Sequence, residues 1–594
     1  ALYTMNPASN VDMYNTAVGF NAGYGLTTST GNTLIGAQAG DAALTGIENS
    51  FVGFGAGSSN TSGDRGVALG AYALVSNTVG ARNIAIGHGA LQSNVDGSYS
   101  VAIGYSALNA QDPASAVNMY NVAVGYESGK AMTTGVQCTL LGAGAGDAIT
   151  NGHYNTAIGA YALSTEDSGK GNVAVGREAL KLQDSGADAY NVAVGYQAGT
   201  AVTTGLNNTL IGGSAGDALT TGTRNVALGY NALSTEDAGG HNVAIGYNAL
   251  ATQDAGNAYN VAVGASAGTG ITSGASNTLI GGLAGNALTT GAGNVAVGTE
   301  ALNTEDAHGK NTAVGYHALK IQNAGADGYN TAVGYQAGLA INTGVRNSIL
   351  GYAAKTLTTG SENVAIGYLT MNAGTTGGKN VAVGTEALTS NLLGSRNVAI
   401  GQEALKAFVA GGGDNTYNTA VGFGAGIAVT NGTQNTLIGG LAGDAITEGN
   451  NNMVIGYNAA ASAVDVDNEI TLGDANINAF RCADQSIAAL SDGRDKTDIK
   501  DSSYGLEFIN TIRPVEFTWN FRPENMAEAK QGKKRVGFIA QELQEAMPNS
   551  ENEILDLVYN VSDERIEAKY GNLIPILVKA VQELSEQVKQ LKNK

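Results

Sequence analysis

The stretch that decides the fold is NVAVG at residues 121–125, because close variants of this pentad recur along most of the chain. NTAVG begins at Asn15 and NIAIG at Asn83. Pentads start 26 times up to Asn452, usually 17 residues apart, and a degenerate copy, EITLG, begins at Glu469. A unit this short cannot bury a core alone, so stacking of successive coils is expected. The sequence predicts a mainly β protein with a long parallel β-solenoid, or β-roll, of about 27 coils.

The repeat has a second, longer period. The pentads at Asn121, Asn191, Asn260 and Asn330 lie about 70 residues apart, and a longer step closes most groups of four. Duplication of a four-coil cassette would explain this spacing.

Alternation within the pentad is typical of a β-strand, because successive side chains of a strand point to opposite faces. We expect Val or Ile at the fourth position to fill the interior. The small central Ala is expected to face outward and let another surface approach, and the final Gly permits the bend that closes the coil. A second apolar pair should supply the opposite wall, as in Ala162-Leu163, Ala218-Leu219 and Ala301-Leu302.

Three recurrent polar features each allow a structural and a functional interpretation. Asn in the first position suggests a ladder of amides between coils, with a ligand-facing stripe as the alternative. Acidic turns such as Glu166-Asp167 and Glu236-Asp237 are expected to be solvated loops, and calcium binding is the alternative, although the GGxGxD pattern is missing. Tyrosines after the Gly suggest a stacked ring ladder, with carbohydrate binding as the alternative: Tyr126, Tyr196, Tyr230, Tyr247, Tyr316 and Tyr335.

Composition excludes several classes of protein. The 86 glycines in 594 residues are far too few for collagen, and a net charge of −20 disfavours nucleic acid as a partner. No apolar run is long enough to insert into a membrane. Cys138 and Cys482 show no metal-ligand spacing, so we expect neither a metal site nor a cofactor. The chain starts at Ala1 without an initiator Met, so we expect a processed product or a fragment that lacks an upstream attachment region.

The repeat resembles the left-handed parallel β-roll heads of trimeric autotransporter adhesins, whose repeat contains a similar N-x-[VA]-[AV]-[IV]-G core. The likeness covers roughly residues 15–473, although those heads have a shorter usual period. It implies a homotrimer.

A different kind of sequence begins at Ser491. The first 490 residues hold 47 charged side chains, whereas the last 104 hold 33 together with Trp519, the single tryptophan of the chain. The final segment carries apolar residues at alternating steps of three and four, which predicts a short coiled coil. An amphipathic helix packed on its own domain is the alternative. The predicted seam is Ile574, Leu577, Val581, Leu584, Val588 and Leu591.

Candidate chemistry in this segment is restricted to residues other than histidine, because all five histidines precede residue 491. A serine nucleophile can use a lysine as its base when that lysine is neutral. Ser491 and Lys496 are five residues apart and would converge if the chain turned at Gly493. Taken alone, this spacing is a weak signal.

The surrounding motifs are more specific. SDGRDK at residues 491–496, followed by IRPVEFTW, GFIAQEL and YGNLIPILVKAVQEL, resembles the self-cleaving intramolecular chaperone domain of phage endosialidases and tail fibres. The resemblance implies a trimeric folding template that cuts itself off at its own N-terminal serine. Carried onto this chain, it makes Ser491 the nucleophile, Lys496 the general base and Leu490-Ser491 the scissile bond. Asp492 and Arg494 match the motif and receive supporting roles.

These features predict four segments: an N-terminal stub at 1–14, the β-roll at 15–473, a connector at 474–490, and a small α+β chaperone domain at 491–594 whose last helix spans 571–594 and forms a trimeric coiled coil. The expected function is a homotrimeric phage tail fibre, located in the virion tail after assembly in the host cytoplasm. Its expected partners are a host cell-surface receptor, either a glycan or an outer-surface protein, and other virion tail proteins. A cellular surface adhesin and a polysaccharide-degrading tailspike are the alternatives.

Overall fold

The structure, a computed structural model, describes residues 2–4, 12–410, 412, 415–477, 480–481, 491–520, 532–547, 552–562 and 565–593. It divides into two units, Ala1–Ile366 and Gly367–Lys594. Within the described ranges, strands β1–β21 of the solenoid lie in the first unit and β22–β27 in the second. The predicted mainly β fold, a parallel solenoid of about 27 coils followed by a small α+β region, is therefore confirmed.

Every solenoid strand is three residues long and corresponds to the second, third and fourth residues of a pentad. The first unit contains β1 to β21 in order: Thr16–Val18, Thr33–Ile35, Ser50–Val52, Val67–Leu69, Ile84–Ile86, Val101–Ile103, Val122–Val124, Thr139–Leu141, Thr156–Ile158, Val173–Val175, Val192–Val194, Thr209–Ile211, Val226–Leu228, Val243–Ile245, Val261–Val263, Thr278–Ile280, Val295–Val297, Thr312–Val314, Thr331–Val333, Ser348–Leu350 and Val364–Ile366. The second unit contains β22 to β27: Val381–Val383, Val398–Ile400, Thr419–Val421, Thr436–Ile438, Met453–Ile455 and Ile470–Leu472.

Successive strands pair in parallel and in register within each unit. Ala123 lies opposite Leu140, which in turn lies opposite Ala157. Each coil therefore places the same pentad position above that of the coil before it, and the interior is a stack of equivalent residues.

The strand side chains point the opposite way to the prediction, which placed the fourth pentad residue inside and the central Ala outside. The central residue points inward and is fully buried, as at Ala123 and Leu140, whereas the flanking Val122 and Leu141 are 39% and 45% exposed. A period of two shows that the central residue and its neighbours face opposite ways, but it does not show which face is inside. The coil encloses a narrow interior, and the small Ala fits there.

Large and small residues alternate between the two walls of the interior. In many coils whose strand carries Ala, the opposite wall supplies a buried leucine, as Ala157 and Leu163 show, whereas the coils of Ala123 and Ala193 carry Gly129 and Gly199 at the leucine position. Where the strand carries Leu, the opposite wall carries Gly. A Cβ added to Gly216 would lie 2.8 Å from Leu210 Cδ2. The predicted second wall is confirmed at Leu163, Leu219 and Leu302, which are fully buried, as are Ala162 and Ala301, whereas Ala218 is half-buried.

The glycine that ends each pentad permits the predicted bend. Gly125 has a φ of +143°, and a Cβ there would lie 2.4 Å from the carbonyl oxygen of Gly142 in the next coil. Both the backbone conformation and the close approach of the next coil require glycine at this position.

The predicted asparagine ladder is present and buried. Asn191 Oδ1 accepts a hydrogen bond of 2.8 Å from the backbone N–H of Asn208, and Asn208 Oδ1 accepts one of 3.0 Å from Asn225. The Asn208 amide also donates to the carbonyl of Gly222 at 2.8 Å. Cys138 takes the Asn place in one coil, and burial raises the pKa of its thiol to about 11. Cys482 lies outside the described residues.

A second buried polar row was not predicted. Glu166 and Glu236, expected in solvated loops, are fully buried, whereas the adjacent Asp167 and Asp237 are exposed. Each glutamate lies six residues before a ladder asparagine. Asn77 holds the equivalent position in its own coil, and its side chain is also buried. Burial raises the pKa of both glutamates.

The C-terminal region combines short helices and antiparallel strand pairs. Strands β28 and β29 pair, as do β30 and β31. A small core of Phe508, Met547, Leu555, Leu557, Leu573 and Ile576 joins the first helix to the last. The elements are α1 (Leu506–Ile509), β28 (Val515–Thr518), β29 (Lys534–Gly537), α2 (Ala540–Ala546), α3 (Asn552–Leu555), β30 (Val558–Ser562), β31 (Arg565–Ala568) and α4 (Leu573–Lys592). Among the described helices, none is long and apolar enough to cross a membrane.

Candidate functional site

Ser491 and Lys496 are brought together by a short helical turn. Asp492 caps this 3₁₀ turn, Gly493–Asp495, by accepting a 2.9 Å hydrogen bond from the backbone N–H of Arg494. The turn folds the chain back, and Lys496 Nζ donates to Ser491 Oγ at 2.6 Å. A hydroxyl and an amine at this distance can exchange a proton directly.

The two supporting residues of the motif are paired with each other. Arg494 Nε lies 3.0 Å from both carboxylate oxygens of Asp492. This pairing holds the pKa of Asp492 below its usual range and raises that of Arg494. The carboxylate is therefore engaged in capping the turn and binding the guanidinium, and both interactions fix the loop that carries the Ser491–Lys496 pair.

Residues 491–500 are all exposed in the single chain. A lysine acts as a base only in its neutral form, which burial favours and contact with water disfavours. The single chain thus supplies the geometry of a Ser–Lys pair without the enclosure that would activate it. Leu490, and with it the predicted scissile bond, lies outside the described residues.

Helix α4 presents two different faces. Leu573, Ile576 and Ala580 are buried against the core of their own domain. The predicted seam lies elsewhere on the helix and is exposed, the exposed fractions ranging from 42% at Val588 to 71% at Leu591. The helix therefore combines both interpretations of its sequence: it packs on its own domain and leaves an apolar row uncovered. The residues of this row are Ile574, Leu577, Val581, Leu584, Val588 and Leu591.

One hydrogen bond fixes the orientation of α4. Glu583, near the middle of the helix, accepts a 2.8 Å bond from the backbone N–H of Leu506 at the start of α1. This contact holds the Glu583 side of the helix against its own domain. The apolar row remains exposed in the single chain.

The predicted tyrosine ladder occurs on the solenoid surface as separate stacked pairs, which include five of the six predicted rings; the ring of Tyr196 lies 5.9 Å from the Arg177 guanidinium instead. Tyr105 and Tyr126 stack with ring centroids 5.3 Å apart, and Tyr316 and Tyr335 stack at 5.5 Å. Tyr230 and Tyr247 form a further stacked pair at 5.9 Å. Because these ring faces lie against one another, the ladder presents mainly ring edges, which favours its structural role over the stacking of sugar rings.

Sequence reasoning missed the buried glutamates, although their spacing carried a usable signal. Glu166, Glu236 and Glu305 each stand six residues before a ladder asparagine. The same register holds Asn in other coils, so it could have identified these positions as interior.

Comparison with known families identifies the C-terminal part of the chain. Residues 491–550 match the model of the family described as chaperone of endosialidase. Searches of curated proteins and of solved structures each returned no match. The matched segment starts at Ser491 and includes the 3₁₀ turn, whereas helix α4 lies beyond it.

The match agrees with the resemblance of the SDGRDK segment and supports an autoproteolytic intramolecular chaperone. Such a domain behind a long β-solenoid is consistent with a phage tail fibre or tailspike. From residue 491, the chain carries a domain of the chaperone-of-endosialidase family.

Proposed function

We propose that this protein is a homotrimeric phage tail fibre that attaches to a host surface, and that its C-terminal domain assembles the trimer and then cleaves the bond between Leu490 and Ser491. The observation that carries the cleavage proposal is the 2.6 Å contact between Lys496 Nζ and Ser491 Oγ. The family match at residues 491–550 supports the chaperone role.

The proposed reaction begins when neutral Lys496 removes the proton of the Ser491 hydroxyl. The Ser491 oxygen forms a bond to the carbonyl carbon of Leu490, and the bond from that carbon to the Ser491 nitrogen breaks as the nitrogen takes up a proton. The product is an ester between Leu490 and the Ser491 side chain. Water hydrolyses this ester, which leaves a carboxylate on Leu490 and restores the serine hydroxyl.

Trimer formation supplies the missing enclosure in this proposal. The exposed apolar row on α4 has the heptad spacing through which helices associate, and mixed Leu and β-branched residues are compatible with three strands. Association would bury surfaces near the N-terminal turn and favour neutral Lys496. Cleavage would then follow assembly.

The same order of events suits the solenoid. Near-identical coils can pair in many wrong registers, and pairing between distant segments is slow. A trimeric domain that aligns the three chains would start winding in a single register. Its removal afterwards would leave the fibre kinetically trapped.

Intact-mass measurement of the expressed chain tests the cleavage. We expect a fragment ending at Leu490 from the wild type, and only the full-length chain from Ser491→Ala and from Lys496→Ala. Ser503→Ala and Lys500→Ala are matched controls because both residues are exposed in the same segment, and both variants should cleave normally. Cleavage of Ser491→Ala at the same bond would overturn the assignment of the nucleophile.

Attachment is tested separately. The purified solenoid fragment should bind host cells and reduce phage adsorption by competition. Release of oligosaccharides from the host surface by that fragment would instead favour the polysaccharide-degrading alternative.

A further inference from the structure

Three buried glutamates occupy equivalent turns of successive cassettes, and one of these turns differs from the others. In two of them a glycine follows three residues later, and its backbone N–H donates to the glutamate at 2.6 Å: Gly169 to Glu166, and Gly239 to Glu236. In the third turn, His308 stands in the place of this glycine after Glu305.

The histidine loosens the contact that the glycine makes. The backbone N–H of His308 lies 3.2 Å from Glu305 Oε1, against 2.6 Å in the glycine turns. A Cβ added to Gly239 would lie 2.3 Å from Glu236 Oε1, so a side chain at this position requires the carboxylate to move. The side chain of His308 is therefore accommodated only with a longer hydrogen bond between its backbone N–H and the Glu305 carboxylate.

The second carboxylate oxygen is paired in only one of the three turns, because Glu166 Oε2, like that of Glu305, has no hydrogen-bond partner among the described residues. Glu236 Oε2 accepts a 2.9 Å hydrogen bond from Gln253 of the next coil. The equivalent Gln322 instead donates to the carbonyl of Gly344, at 3.4 Å. Glu305 is fully buried, and its Oε2 has no hydrogen-bond partner among the described residues. An unpartnered buried carboxylate oxygen is costly, and a bound cation would offset this cost.

Two further donor groups lie close to the Glu305 carboxylate. His308 Nδ1 lies 3.5 Å from Glu305 Oε1, and it too has no hydrogen-bond partner among the described residues. One carboxylate oxygen of Asp306 completes a group of three ligand atoms that lie within 4.8 Å of one another. We propose that Glu305, Asp306 and His308 bind a divalent transition-metal ion.

The donor set indicates the class of ion. One imidazole and two carboxylates suit Zn²⁺ and its neighbours Co²⁺ and Ni²⁺. Calcium prefers six to eight oxygen ligands and does not favour imidazole. The ion would pair the buried Glu305 oxygen and use the free His308 nitrogen. The prediction of no metal site rested on the spacing of Cys138 and Cys482, and acidic turns of this kind were expected to be solvated loops, with calcium binding as the alternative.

The test uses the full chain prepared without a polyhistidine tag. Titration with Zn²⁺, followed by calorimetry, should show one ion bound per chain. Titration with Co²⁺ should produce visible absorption bands of a nitrogen- and oxygen-ligated ion. The bound ion should also raise the melting temperature of the wild type.

Two variants remove ligands while restoring residues that other coils tolerate. His308→Gly recreates the sequence of the turn at Gly239, and Glu305→Gln introduces the amide that Gln253 carries in the buried row. Both should fold and lose the binding. The control His317→Asn places there the residue that Asn231 and Asn248 supply in equivalent coils, and it should bind as the wild type does. Absence of binding by the wild type at millimolar Zn²⁺, or unchanged binding by His308→Gly, would overturn the proposal.

Discussion

Leu140 of strand β8 fills the space beside Gly146 on the opposite wall: a Cβ added to Gly146 would lie 2.9 Å from Leu140 Cδ2. In the next coil the sizes are exchanged: the strand carries the small Ala157 and the opposite wall carries the large Leu163, and both are fully buried. Adjacent coils of one repeat thus have interiors of complementary shape.

This relationship predicts the cost of emptying one coil. Leu140→Ala removes a fully buried side chain, and such changes cost about 2–5 kcal/mol. Leu141→Ala is the matched control, because Leu141 is the next residue on the strand and is 45% exposed. It should change stability by less than about 1 kcal/mol. Chemical unfolding followed by circular dichroism distinguishes the two, and equal losses would contradict the inward facing of Leu140.

The asparagine ladder gives a second prediction. Asn208→Ala leaves the buried N–H of Asn225 and the carbonyl of Gly222 without their partner, and each unpaired group costs about 1–3 kcal/mol. Asn208→Asp keeps an acceptor for Asn225 but cannot donate to Gly222, so it should also destabilise the solenoid.

The control for the ladder is Thr221→Ala on the surface of the same coil, which should melt with the wild type. Unchanged thermal stability of Asn208→Ala would show that the ladder contributes nothing to the solenoid.

Buried Glu236 predicts a pH dependence of stability. Desolvation raises its pKa in the folded chain above the ordinary value of 4.5. Between the unfolded and the folded pKa, the folded state binds more protons, so the contribution of Glu236 to stability falls as pH rises through this window. Glu236→Gln removes this titration but keeps only one of the two oxygens that accept from Gly239 and Gln253, so its melting temperature at one pH is not decisive. Relative to this variant, the wild type should lose stability as pH rises through the window.

The melting temperature of the wild type minus that of Glu236→Gln should rise as pH falls towards 4.5. Melting curves at several pH values measure it. A difference that stays constant with pH would show that the carboxyl does not titrate across this range.

The exposed row on α4 predicts a link between assembly and cleavage. Val581→Glu places a charge in the row and should prevent trimer formation. Light scattering would then give the molar mass of one chain instead of three. Under the proposed mechanism the same variant should stay uncleaved, although Ser491 and Lys496 are intact. Gln582→Glu adds the same charge at an exposed position outside the row, and it should assemble and cleave normally. Complete cleavage of a monomeric Val581→Glu chain would show that cleavage does not require trimer assembly.

The sequence predicted the solenoid well because its pentad repeats so often, and each strand begins at the second residue of a pentad. It could not predict which face is inside. Val124 is the more apolar residue, yet the buried Asn121 and Ala123 share a face, and the narrow interior accepts only small or carefully matched side chains. The hydrophobicity of a side chain therefore did not predict which strand face is buried, because the narrow interior of the coil limits side-chain size.

At the C-terminal turn, the spacing of Ser491 and Lys496 predicted their approach, and the 2.6 Å contact agrees with it. Their exposure in the single chain was not predictable, because the spacing of two residues carries no information about what packs over them. The burial of Glu305 was also not predicted, because acidic turn residues are usually solvated. Only its position six residues before a ladder asparagine indicates that it lies in the interior.

The pairing of large strand residues with wall glycines also bears on how such a protein can change its length. The large inward residues Leu140, Leu210, Leu279 and Ile349 recur at every fourth strand, β8, β12, β16 and β20. Loss or gain of one coil would place these large side chains beside neighbours of a different size, whereas loss or gain of four coils would keep the order of large and small inward residues. Recombination between cassettes could therefore lengthen or shorten the solenoid in steps of about 70 residues without redesign of its interior.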